Sequence, residues 1–295
     1  MTPQLCIVTD EISADFTTAV ELGTAWGIKN YELRGFGEHR VPLLSDFQRQ
    51  RVREVLDAFD ANLVAISPGI FKFPFPNESR DTFPVQAIDY AIYQDWQQTR
   101  KLLDFHLNEL LPQSIRFAQE FDIRTIISFG FARGGNPANE PPEALLDTLY
   151  QAAEMVGKAG MQLALETEAD FWADTGENTA SLLAKVSHPA LMVNWDPSNS
   201  FQAGERPFPD GYAHVSSRIA HVHYKDIVRS SDGAYTYQIK GDVDWAGQIS
   251  ALIKAGYSGY ISVEPHMFPQ VETARASTRR LQALIDSAKN EEKQV

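Results

Sequence analysis

The chain has 295 residues, 43% hydrophobic and 22% charged, with a formal net charge of −13, which is enough chain to bury a large core. The acidic balance and the lack of any Lys/Arg-rich run argue against a nucleic-acid partner, and no stretch reaches membrane-spanning length. No signal-type apolar run precedes Asp10 and Glu11, which reads as a cytoplasmic protein, and the single cysteine, Cys6, leaves no disulfide framework and no multi-cysteine metal site.

From the N-terminus, Leu5–Thr9 is the first β-rich run, and Cys6 within it reads as a small core residue rather than a nucleophile. A segment of helical period, Phe16–Trp26, ends at Gly27, a residue able to adopt positive φ and turn the chain. The second strand candidate, Tyr31–Arg34, puts Glu32 and Arg34 on one face, either as an internal ion pair or as substrate contacts. A helix over Phe47–Phe59 leads to a third strand, Leu63–Ser67. The stretch from Pro68 to Asp122 is too long for one loop and one helix; it reads as a stiff Pro- and Phe-rich lid-like loop, SPGIFKFPFPNESRDTFP, followed by helical material broken near Pro112.

Alternation then resumes with strands Arg124–Phe129, Gln162–Glu166, Leu191–Asp196, Ile219–His223 and Gly259–Glu264. Between and after them lie helices Glu143–Ala159, Asn178–Val186, Trp245–Ala255 and Glu272–Ala288, with Gly160 and Gly256 as further helix-ending glycines. Eight strand–helix units predict an α/β fold, a single closed (β/α)₈ TIM barrel over residues 1–295 with an insertion after strand three. Residues from about 286 onward are polar and read as a frayed tail.

In such a barrel the functional site forms where strands run into the loops that follow them. Four consecutive strands end in a metal-binding side chain: Glu166 in LALETE, Asp196 in LMVNWDPSNS, His223 in IAHVHYKD and Glu264 in YISVEPH. A carboxylate at one strand end is usually solvated or caps the next helix. Four in succession converge, because neighbouring strands lie about 5 Å apart, and three carboxylates in one small volume repel each other without a cation. One layer deeper lie Ala164, Asn194, His221 and Ser262; Asn194 or Ser262 could orient the carboxylates, and His221 reads as a hydrogen-bonded interior histidine, with His223 favoured as the ligand by position. Three carboxylates and an imidazole suit Mn²⁺, Mg²⁺, Co²⁺ or catalytic Zn²⁺ without selecting among them, and Mn²⁺ is the leading expectation. Chelating a hydroxycarbonyl compound would acidify its C–H, and Glu166 and Glu264, on opposite wings, are placed to move the proton.

Taken in order, TDEIS, YELRG, LALETE, NWDPSNS, HVHYKD, GDVDW and AGYSGYISVEPH resemble the sugar phosphate isomerase/epimerase group of xylose isomerase-like TIM barrels over nearly the whole chain. The resemblance implies one divalent ion on Glu166, Asp196, His223 and Glu264, and an enediolate route with Glu166 and Glu264 as acid and base. The family includes ketose epimerases, inositol-pathway isomerases and dehydratases, so isomerisation or epimerisation of a small sugar, ketose or keto-polyol leads. Dehydration of a keto-polyol such as an inosose, or sugar binding without turnover, are the alternatives. Asn199 and Gly69 stand where related DNA-repair enzymes carry histidine ligands, which argues against that activity.

Lys72, Arg133, Lys225 and Arg229 are candidates for substrate oxygens, with Asn199 beside them and Trp172 as an aromatic wall. The EPHMFPQ segment after the last strand lacks glycines that would expose N–H groups to a phosphate, which favours an unphosphorylated small molecule. His266 reads as a rim residue or proton shuttle. A homo-oligomer is compatible with the sequence but not specified by it.

Overall fold

A computed structural model describes residues 2–76, 96–133 and 140–292. Its centre is a closed barrel of eight strands, all paired in parallel. The strands are β1 (Gln4–Val8), β2 (Asn30–Leu33), β3 (Asn62–Ile70), β4 (Thr125–Phe129), β5 (Gln162–Glu166), β6 (Leu191–Trp195), β7 (Ile219–Tyr224) and β8 (Tyr260–Val263). β1 closes the barrel by pairing with both β2 and β8. All eight fall on the runs expected from the sequence.

The outer helices begin and end where local chemistry dictates. α1 (Phe16–Ala25) starts at Asp15, whose carboxylate accepts the Thr18 N–H, and α2 (Asp46–Phe59) starts with a reciprocal Ser45–Gln48 capping box. Gly27, Gly160 and Gly256 take φ of 90°, 76° and 72° and lead the chain toward β2, β5 and β8, a conformation that is costly for any residue with a Cβ. None of the helices among the described residues is long and apolar enough to cross a membrane.

Residues 77–95, which include the latter part of the Pro- and Phe-rich loop, lie outside the described residues. The helical material after it runs as α3 (Trp96–Phe105), a π-turn over His106–Leu110, and α4 (Leu111–Glu120). The break expected near Pro112 is therefore a widened turn rather than an interruption. Proline has no N–H for the α ladder, and the Leu111 N–H reaches back five residues to the His106 carbonyl. The C-terminal helix spans Gln270–Glu292, farther than the fraying expected from residue 286, because Ile285 and Ala288 are buried against the barrel and anchor it.

His106 ties the π-turn to the end of β3. Its Nδ1 accepts the Phe71 N–H at 3.0 Å, and its ring lies among Phe71, Phe73 and Phe105. Burial lowers its pKa from 6.5 to about 4. The unfolded chain takes up a proton near pH 6.5 that the folded chain refuses until about pH 4, so stability falls as pH falls through that window. The loss due to this group is about 3 kcal/mol. Unfolding free energies from urea denaturation should fall by about 3 kcal/mol less for His106→Asn than for wild type between about pH 6.5 and pH 4; an identical pH dependence would refute the assignment.

Candidate active site and metal centre

At the C-terminal mouth of the barrel the structure brings Glu166, Asp196, His223 and Glu264 together, their ligand atoms all within 4.8 Å of one another. Glu166 closes β5, His223 is the penultimate residue of β7, and Glu264 follows β8 directly. Asp196 sits one residue beyond β6 as the N-cap of a short helix (Pro197–Gln202), where its Oδ1 accepts the Ser198 and Asn199 N–H groups at 3.0 and 2.9 Å. That fixes the carboxylate and leaves Oδ2 facing the cluster. All four side chains are buried.

His223 is oriented from below. Its Nε2 lies 3.0 Å from Glu32 Oε2, while its Nδ1 faces Glu166 Oε1 at 3.3 Å and Glu264 Oε2 at 3.2 Å. A carboxylate on one imidazole nitrogen fixes the tautomer and frees the other nitrogen for a metal. Burial alone would raise the Glu32 carboxyl, but the His223 imidazole and hydrogen bonds from His221 and His223 hold it well below the ordinary carboxylate range. Ser67 also donates to Glu32. His221, a layer deeper, bonds Glu32 Oε2 at 3.0 Å and Ser262 Oγ at 2.9 Å, the interior role expected for it.

We expect Glu32→Gln to weaken Mn²⁺ binding about 10- to 100-fold, the usual loss when the partner of a ligating histidine is changed. Calorimetric titration checks this, and unchanged affinity would remove Glu32 from the account.

The positive charges differ from the sequence expectation. Lys225, read there as a substrate contact or solvated charge, is 3% exposed. Its ammonium lies 2.5 Å from Asp196 Oδ2 and 2.9 Å from Glu264 Oε2. Its carbonyl accepts from Ser198 Oγ at 2.5 Å and Trp245 Nε1 at 2.8 Å, which pins the backbone that projects it. Arg34 adds a second cation: it does not pair with Glu32 but bridges Asp10, Glu11 and Glu264 at 3.0, 2.7 and 2.7 Å. The protein thus supplies part of the counter-charge that the sequence argument left to a metal.

A divalent ion nonetheless fits. Glu32, Glu166, Asp196 and Glu264 outnumber Lys225 and Arg34, and the buried Asp196 Oδ2 is met among the described residues only by the Lys225 ammonium. Burial opposes a charge on the His223 imidazole, but Glu32, Glu166 and Glu264 raise its pKa well above the ordinary range, so an ion binding at Nδ1 would displace a proton from it.

Other expected site residues separate into two groups. Lys72 reaches the mouth, donating to Glu168 Oε2 at 3.2 Å with its ammonium 4.4 Å from the Phe129 ring centroid. Trp172 is buried, with the Arg133 guanidinium 4.6 Å from its ring, so it packs more than it walls an open pocket. Asn199 is buried too, and its amide donates to the Thr167 carbonyl at 3.0 Å; it fastens the loop after β5 instead of presenting its amide to a substrate. Arg229 is exposed on a hairpin (Ile227–Arg229 with Tyr235–Tyr237), its guanidinium 5.8 Å from the Tyr235 ring, and none of its contacts among the described residues involves the cluster. The Asn194 side-chain amide makes no hydrogen bond among the described residues and so does not orient the carboxylates, while Ser262 serves His221 and Cys6. Burial pushes the Cys6 thiol up, first among several causes, in keeping with a core residue.

Sequence reasoning missed Glu11 and Glu168. Glu11 bonds His266 from both oxygens, accepting the backbone N–H at 3.0 Å and pairing with Nδ1 at 2.8 Å, while His266 Nε2 stands 3.5 Å from Glu264 Oε2. Both glutamates had a signal: Glu11 follows β1 much as the four cluster residues stand at the ends of their strands, and Glu168 is two residues beyond Glu166.

A family model described as xylose isomerase-like TIM barrel matches residues 99–284, more than half of the chain. The chain belongs to this family. A curated member-like relative, a 3-dehydroshikimate dehydratase of Bacillus anthracis, is 22% identical over 170 residues, 57% of this chain and 60% of that protein, so the match spans less than two thirds of the relative's length. Among solved structures, an L-ribulose 3-epimerase superposes with a TM-score of 0.68 at 14% identity, covering 99% of this chain and 97% of that one. A xylose isomerase-like TIM barrel protein from Mycobacterium smegmatis in complex with magnesium gives 0.67 at 15% identity, covering 98% of both chains. These likenesses place the xylose isomerase-like chain by fold.

Proposed function

We propose that this protein is a divalent-metal-dependent enzyme that moves a proton at the carbon beside the carbonyl of a small hydroxycarbonyl compound, as an isomerase or epimerase. The observation that carries the reading is the convergence of Glu166, Asp196, His223 and Glu264 in one buried cluster at the barrel mouth. A divalent ion on these four residues, Mn²⁺ foremost, would polarise the carbonyl and acidify the neighbouring C–H. Glu166 and Glu264 then serve as the proton-accepting and proton-returning groups, with His223 held in place by Glu32.

The two glutamates are not equivalent. Glu264 accepts from Arg34 through Oε1 and from Lys225 through Oε2, whereas Glu166 meets only His223 among the described residues. Glu166 is therefore the freer base. That inequality, together with the dehydratase named among the curated relatives, favours a second reading: after one proton is removed, a β-hydroxyl leaves as water instead of the proton being returned.

Incubating the Mn²⁺-loaded protein in D₂O with a panel of ketoses, inosose, 3-dehydroshikimate and other hydroxy-keto acids tests both readings. Deuterium at the carbon beside the carbonyl supports proton transfer, and a product lighter by one water identifies the lyase. Binding of a panel member with neither deuterium uptake nor mass loss would indicate a binding protein without turnover.

A further inference from the structure

Arg40 is a cation at the mouth that has no carboxylate partner among the described residues. It ends a two-residue-per-strand hairpin after β2 (Gly35–Phe36 with His39–Arg40) and reaches across to the end of β3, where its Nε donates to the Ser67 carbonyl at 3.0 Å. The guanidinium lies against Gly69: a Cβ there would come within 3.2 Å of Arg40 Cζ and Nε. Gly69 also has φ of +80°, so glycine is suited to this position twice over. The same end of β3 carries Ser67, whose hydroxyl donates to Glu32 beneath the cluster.

Other cations around the site are engaged. Arg34 holds three carboxylates, Lys225 holds Asp196 and Glu264, and Lys72 holds Glu168. Arg40 forms no ion pair among the described residues, and its Nη groups remain available after Nε is spent on Ser67. Desolvation lowers the guanidinium's pKa and Arg34 adds to this, while Asp10, Glu166 and Glu264 pull it upward; its charge is thus felt at the cluster.

We propose that Arg40 binds a carboxylate on the substrate, which makes the compound a hydroxy-keto acid rather than a neutral sugar. This rests on the proton-transfer reading above. An anion entering a mouth lined by Glu166, Glu168 and Glu264 needs a cation not already neutralised, and the open edge of a guanidinium matches the two oxygens of a carboxylate. A phosphate fits less well. It would call for a second free cation or a cradle of backbone N–H groups, and the segment after β8, Pro265 to Pro269, contains two prolines and no glycine.

The test compares matched ligands on the Mn²⁺-loaded protein: fructuronate, its neutral counterpart fructose, fructose 6-phosphate, and 3-dehydroshikimate. Calorimetry gives Kd and deuterium wash-in gives exchange. We expect at least one of the two acids to bind wild type more tightly than fructose and fructose 6-phosphate, and Arg40→Gln to weaken that acid about 10- to 100-fold, with fructose unaffected and Arg40→Lys recovering part of the loss. Neither acid binding wild type more tightly than fructose, equal acid binding by Arg40→Gln, or preference for the phosphate would overturn the carboxylate subsite. Arg40-dependent binding without exchange would keep the subsite and sink the proton-transfer reading; exchange on fructose indifferent to Arg40 would do the reverse.

Discussion

Glu166→Gln and Glu264→Gln should each slow turnover by about 10²- to 10⁴-fold, the range typical of a lost general base. Glutamine keeps the side chain's shape and one ligating oxygen but does not accept a proton at neutral pH. The two variants should differ in stability. Glu264 anchors both Arg34 and Lys225, at 2.7 and 2.9 Å, whereas the Glu166 side chain hydrogen-bonds only His223 among the described residues, so Glu264→Gln disturbs a larger charge network and should melt lower. Activity is compared after each variant is saturated with Mn²⁺, which separates proton transfer from weakened ligation. The readout is deuterium uptake beside the carbonyl of whichever panel compound wild type exchanges. Wild-type exchange by a saturated variant would reduce that glutamate to a ligand.

Lys225→Met should destabilise the metal-free protein by about 3–5 kcal/mol, the usual cost of removing one partner from a buried charge pair. Without the ammonium, Asp196 and Glu264 face each other and Glu166 with less compensation. The Lys225 charge is strongly retained: burial opposes it, but Asp196 and Glu264 raise its pKa well above the ordinary range. Mn²⁺ should therefore raise the melting temperature of Lys225→Met more than that of wild type, since the ion supplies the missing charge. Chemical denaturation with and without Mn²⁺ measures both effects. A variant as stable as wild type in the absence of metal would show that Lys225 does not neutralise the cluster.

The barrel and the four convergent side chains were legible because each rests on a local pattern. β-rich runs alternate with helical period, and Glu166, Asp196, His223 and Glu264 stand where those runs end. Parity along β7 also separated His221 from His223, and the structure places His221 one layer down, on Glu32 and Ser262. What remained illegible depends on contacts between distant segments. Nothing in HYKD reveals that Lys225 is drawn inward by Asp196 and Glu264, and nothing in DPSNS reveals that the Asn199 amide is taken by the Thr167 carbonyl. Arg229 follows β7 as a ligand might, yet the antiparallel pairing of Ile227–Arg229 with Tyr235–Tyr237 carries it onto an exposed hairpin. Arg40 has no motif at all; its position becomes informative only through Ser67 and Gly69 on another strand.

The central claim, that the four residues form a metal centre, is tested most directly without any substrate. Protein stripped with a chelator, incubated with Mn²⁺ and passed through a desalting column should retain one equivalent of metal by elemental analysis. It should also melt at a higher temperature than the stripped form, and Asp196→Asn should lose both properties. Retention below a tenth of an equivalent for Mn²⁺, Mg²⁺, Co²⁺ and Zn²⁺ alike, with no change in melting temperature, would contradict the account.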